Sequence, residues 1–89
     1  MSTTREHQTL QANLIEHLIS ASTGAQMTEM LEALLTPGEL QNIATRLEIA
    51  QLLRSGMTQR DIAKQLGVGI ATVTRGSREL KAGKFKVQS

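Results

Sequence analysis

Apolar side chains recur every three or four positions along most of this 89-residue chain, and no stretch of useful length alternates as a strand would. Leu10, Leu14, Ile15, Leu18 and Ile19 form one stripe and predict an amphipathic helix over residues 7–20. Residues 20–25 (SASTGA) interrupt it. Met27, Met30, Leu31, Leu34 and Leu35 then mark a second, short helix with a broad apolar face. A third start is written in Thr36-Pro37-Gly38-Glu39. Thr36 can cap, Pro37 suits the first helical position, and Glu39 can return a bond to the cap backbone. That helix is expected to reach Arg54, with Leu40, Ile43, Ala44, Leu47, Ala50 and Leu52 or Leu53 inward, and to end at Ser55-Gly56. Thr58 caps a fourth helix whose inner face is Ile62, Ala63 and Leu66. Gly67-Val68-Gly69 turns the chain into a fifth, anchored by Ile70, Val73 and Leu80 and closed by Ala82-Gly83. The pattern predicts a small all-α domain of five helices.

Size changes how that pattern is read. A chain this short buries only about 60–65% of the surface it exposes when unfolded, so its core is thin. It has no cysteine, and its two histidines are too few for a structural zinc site, so neither a disulfide nor a metal is expected. A second subunit is the expected reinforcement, and Met27 and Met30 suit core or subunit packing. No apolar run approaches membrane-spanning length and no signal segment opens the chain, which predicts a soluble, cytoplasmic protein. Catalysis is not expected. His7 and His17 lie ten residues apart, about 80° out of line on a helix, and the acidic residues are scattered over caps and surfaces.

Charge is divided along the chain. Residues 1–53 hold two arginines against six glutamates, a net −4; residues 54–89 hold eight basic residues against two acidic ones, a net +6. The basic half is the one with the glycine turn between two short helices. Ala63 is small where the two helices cross, Gly67 tolerates a positive φ in the turn, and Ile62, Leu66, Val68 and Val73 can lock the pair together. Such a helix-turn-helix places its second helix in the major groove of double-stranded DNA. The candidate DNA-binding residues are Gln59, Arg60, Lys64, Gly69, Ile70, Ala71, Thr72, Thr74 and Lys81. Small and hydroxylated residues at the start of the fifth helix leave room for a groove, Arg60 can pair with a base edge, and Lys64, Lys81 and Arg54 suit phosphates.

Residues 69–77 (GIATVTRGS) with Leu80-Lys81, Leu35-Thr36-Pro37, Thr45-Arg46 and residues 57–60 (MTQR) resemble the Trp repressor family. The likeness runs from about residue 34 to residue 81. It implies an intertwined all-helical homodimer that represses transcription from operator DNA with L-tryptophan as corepressor and without a prosthetic group. By that resemblance Arg46 and Arg75 sandwich the indole, Arg75 and Thr36 hold the carboxylate, and carbonyls near Ala33 and Leu35 accept from the ammonium. Gly76 lies where a side chain would intrude.

Three departures from the family pattern bear on this. The segment between Arg46 and Met57 is one residue shorter than in the best-known members, a helical phase change of about 100° unless the turn absorbs it. Glu79 replaces a small hydroxyl residue near the ligand amine; it can accept from an ammonium, or pair with Arg75 four residues earlier. After Lys81 the family's last helix is lacking, and the first helix is expected to compensate. The expected organisation is a flexible arm over 1–5, a dimerisation core over 6–56, a DNA-reading head over 57–82 and a frayed basic tail over 83–89. Two other readings fit the same residues: a DNA-binding regulator of this fold with another ligand or none, and a helical module that binds protein or RNA.

Overall fold

A computed structural model describes residues 3–84. Among the described residues it has five helices and no strand: α1 (Thr3–Ile19), α2 (Gly24–Leu34), α3 (Pro37–Arg54), α4 (Gln59–Leu66) and α5 (Ile70–Lys81). The expected all-α class holds. Helix α1 begins earlier than its apolar stripe, so Thr3 to Arg5, expected in a flexible arm, are helical. Apolar periodicity cannot place the start of a helix whose first turn is polar.

Side chains set the starts of the next three helices. Thr23 Oγ1 accepts from the Gln26 N–H at 3.1 Å, while Gln26 Oε1 accepts from the Ser22 N–H at 2.6 Å. Thr36 and Glu39 make the reciprocal pair the sequence predicts: Thr36 Oγ1 accepts from the Glu39 N–H at 3.1 Å, and Glu39 Oε1 accepts from the Thr36 N–H at 2.8 Å. Thr58 Oγ1 accepts from the Asp61 N–H at 3.1 Å and opens α4. Each bond satisfies a backbone donor that the helix itself leaves unpaired.

The chain divides into two compact units, one ending at Leu40 and the other beginning at Gln41. The body of α3 packs with α4 and α5. In the N-terminal unit no described side chain is fully buried; Leu10, Leu14, Ile15, Ile19 and Leu34 are exposed. The core lies in the C-terminal unit, where Ile49, Ile62 and Val73 are sealed from solvent by Leu52, Leu53, Met57, Ala63, Leu66 and Val68.

That core corrects the inward face expected of α3. Ile49, not assigned inward, is buried beside Ala50, whereas Ile43, Ala44 and Leu47 are exposed. Apolar residues occupy two sides of this helix, and only tertiary packing selects the side that α4 and α5 cover. Of the expected anchors of α5, Ile70 is exposed and Val73 is buried, and Ser77 is buried with it.

Candidate functional site

The turn between α4 and α5 is built as its glycine predicts. Gly67 caps α4 at φ 69°, ψ 33°, a left-handed conformation in which a Cβ would be strained, and its N–H donates to the Ala63 carbonyl. The Val68 N–H donates to the same carbonyl at 3.1 Å. Ile62 of α4 and Val73 of α5 are fully buried between the helices. One further bond ties them: the Thr74 hydroxyl donates to Gln59 Oε1 at 2.8 Å.

This bond changes the standing of two residues expected to face DNA. Gln59 and Thr74 are both half-buried and engaged with each other. The remaining candidates are exposed: Arg60 and Lys64 on α4, Gly69 as the N-cap of α5, Ile70, Ala71 and Thr72 in its first turn, and Lys81 in its last. The exposed start of α5 is therefore apolar, small and hydroxylated, and basic side chains flank it.

Beside α5 a cleft of about 350 Å³ is lined by Arg46 and Ile49 of α3 and by Thr72, Arg75, Gly76 and Glu79 of α5. Four of the seven residues assigned to a ligand, Arg46, Arg75, Gly76 and Glu79, thus line a single cavity. Thr72 and Ile49 line it as well, and neither was assigned to it. Thr72 was legible in principle, since it precedes Arg75 by three residues and Gly76 by four on one helix face. Ile49 was not, because it belongs to the side of α3 that periodicity left undecided. The other three ligand candidates, Ala33, Leu35 and Thr36, belong to the N-terminal unit.

Arg46 and Arg75 line the same cleft across the turn that follows α3. Helix α3 ends at Arg54, and Gly56 follows at φ 97°. The Gly56 N–H donates to the Leu53 carbonyl at 3.1 Å and the Met57 N–H to the Leu52 carbonyl at 3.2 Å.

Gly76 is held to glycine by packing. A Cβ there would lie 2.8 Å from Ile49 Cγ2. Its small size lets α5 approach α3, and it shapes the cavity as a result of that approach. Glu79 pairs with Lys84, Nζ to Oε1 at 3.4 Å, and not with Arg75 as one sequence alternative had it. A second cleft of about 490 Å³ shares Arg46 and Thr72 with the first and is lined further by Gln41, Asn42, Thr45, Leu66 and Val68.

Among the described residues, no group of three His, Asp or Glu side chains comes together as a metal site would need, and no helix is long and apolar enough to cross a membrane. Residues 85–89, most of the expected frayed tail, lie outside the described residues.

The fold is all-α among the described residues, and the family whose model matches it is one of regulatory proteins, transcriptional repressors in class. The chain belongs to the Trp repressor protein family, whose model matches residues 8–88. A Trp operon repressor homolog of Vibrio parahaemolyticus serotype O3:K6 is 47% identical over 70 residues, which cover 76% of this chain and 68% of that protein. One of Photobacterium profundum is 42% identical over 84 residues, covering 91% and 82%. No solved structure matches the chain.

Proposed function

We propose that the chain is a sequence-specific DNA-binding repressor that works as a cytoplasmic homodimer and takes L-tryptophan as corepressor in the cleft between α3 and α5. The observation that carries this reading is the placement of Arg46 and Arg75 in one cleft directly behind the exposed first turn of α5. Its volume of about 350 Å³ is at the small end of ligand pockets, which run from about 300 to 1,000 Å³. Guanidinium faces stack on an indole, and their edges pair with a carboxylate. Ile49 offers the ring an apolar wall.

Taken by itself, the N-terminal unit carries free donor and acceptor groups at the three other residues that the family resemblance names. Thr36 Oγ1 accepts from a backbone N–H but keeps its own proton to donate to a carboxylate. Ala33 lies in the last turn of α2, where carbonyls lack intrahelical donors, and Leu35 follows that helix, so both carbonyls suit an ammonium. A ligand that fixes α5 against α3 would fix the angle at which Ile70, Ala71 and Thr72 meet a major groove, while Arg60, Lys64 and Lys81 hold the DNA. A two-fold dimer then reads a palindromic operator with half-sites about one helical turn apart. The printed names of the relatives, Trp operon repressor homologs, support the same ligand and genes.

The chain contains neither Trp nor Tyr, so bound L-tryptophan is the only indole in the complex and its fluorescence can be titrated directly. The expected result is a saturable change with L-tryptophan, together with selection of one palindromic sequence from random DNA that is enriched when L-tryptophan is present. A fluorescence signal flat to millimolar ligand removes the corepressor from the reading. Binding without preference among sequences removes the operator.

A further inference from the structure

Glu79 is the one acidic residue lining the cleft, which Arg46 and Arg75 also line. It extends the α5 face of Thr72, Arg75 and Gly76 by a turn. Lys84 Nζ stands 3.4 Å from its carboxylate. The chain holds Lys84 there by more than a side-chain contact. Gly83 turns the backbone at φ 86°, and the Lys84 N–H donates to the Glu79 carbonyl at 3.0 Å, so the lysine starts from a fixed point above the acid.

We propose that Glu79 sets the chemical class of the ligand, admitting α-amino acids with a flat side chain in preference to the corresponding desamino acids, and that Lys84 is a built-in ammonium which the ligand displaces. The inference rests on the ligand reading above and narrows it. A cleft lined by two arginines and one carboxylate asks a ligand for two charges, a carboxylate for the guanidinium groups and a cation for Glu79. A ligand with a carboxylate alone brings like charge toward Glu79 and leaves Lys84 in place. A zwitterion supplies its own ammonium and frees Lys84 to solvent. The side chains of Lys84 and Glu79 are 65% and 41% exposed, so their pair is weak enough to exchange; pairs this exposed shift an equilibrium by up to about fivefold.

Binding of L-tryptophan, indole-3-propionate and tryptamine to the full chain, followed by calorimetry at fixed ionic strength, tests the assignment. The wild type is expected to bind L-tryptophan about tenfold or more tightly than indole-3-propionate, a ratio within reach of one hydrogen bond to a charged group. Glu79→Gln should cut that ratio severalfold. Lys84→Met should tighten L-tryptophan by about two- to fivefold and leave indole-3-propionate no tighter, because only the zwitterion replaces the lost charge. In the Glu79→Gln background, Lys84→Met should change neither. Both side chains are exposed, so the variants keep the fold, and circular dichroism verifies it. Indole ligands that bind with a ratio untouched by Glu79→Gln overturn the inference and leave the ligand reading standing. Failure of every indole compound to bind overturns both.

Discussion

Gly76 shows how one missing side chain positions a site. In an exposed helix interior, Gly→Ala gains about 1 kcal/mol of helix propensity. Here the new Cβ would meet Ile49 Cγ2 at 2.8 Å, in a core of three fully buried side chains. Overpacking of that kind costs about 1–3 kcal/mol, so the clash outweighs the propensity gain. Gly76→Ala is expected to lower stability in urea denaturation. Ile49→Leu, which has no branch at Cβ, should recover part of the loss in the double variant. If Gly76→Ala proves more stable than the wild type, α5 does not press on α3 as described.

Among the elements, the pair α4–α5 is bound as a unit by the glycine turn, the Ile62–Val73 core and the Gln59–Thr74 hydrogen bond. Their sequence suggested Gln59 and Thr74 as groups that contact DNA. The structure gives them to each other, which favours positioning over base reading. Thr74→Val keeps the shape and removes the donor, at a cost of about 1 kcal/mol, the net worth of a typical hydrogen bond. The expected result is lower stability and weaker operator affinity with the preferred sequence unchanged. A changed sequence preference at unchanged stability would return Thr74 to the groove.

For the molecule as a whole, the decisive feature is apolar surface without a cover. Leu10, Leu14, Ile15 and Ile19 of α1, Leu34 of α2, and Ile43 and Leu47 of α3 are 44–73% exposed. That much apolar surface on so small a chain fits the second subunit its family resemblance implies. Dimerisation stabilises by mass action, so the melting temperature should rise with protein concentration, and sedimentation should give twice the chain mass of 9.7 kDa. Leu14→Glu should abolish both effects. A monomer with a concentration-independent melting temperature would contradict the dimer. The charge division belongs to this scale too, since the basic half carries α4 and α5 and predicts a salt-dependent affinity for DNA.

Much of this protein is determined locally and is therefore legible in the sequence. The cap at Thr36–Glu39, the cap at Thr58 and the left-handed Gly67 each depend on residues within four positions of one another, and each forms as its sequence predicts. The pair Thr23–Gln26, whose threonine stands four residues after α1 ends, is a local signal of the same kind. The family likeness brought Arg46 and Arg75 to attention together, although nothing local connects residues 29 positions apart. Tertiary structure alone decided which side of α3 is buried, that Ile49 excludes a side chain from Gly76, and that Gln59 and Thr74 are partners. Helix period fixes which residues share a face, but which face meets another helix depends on the fit of groups far apart in the chain.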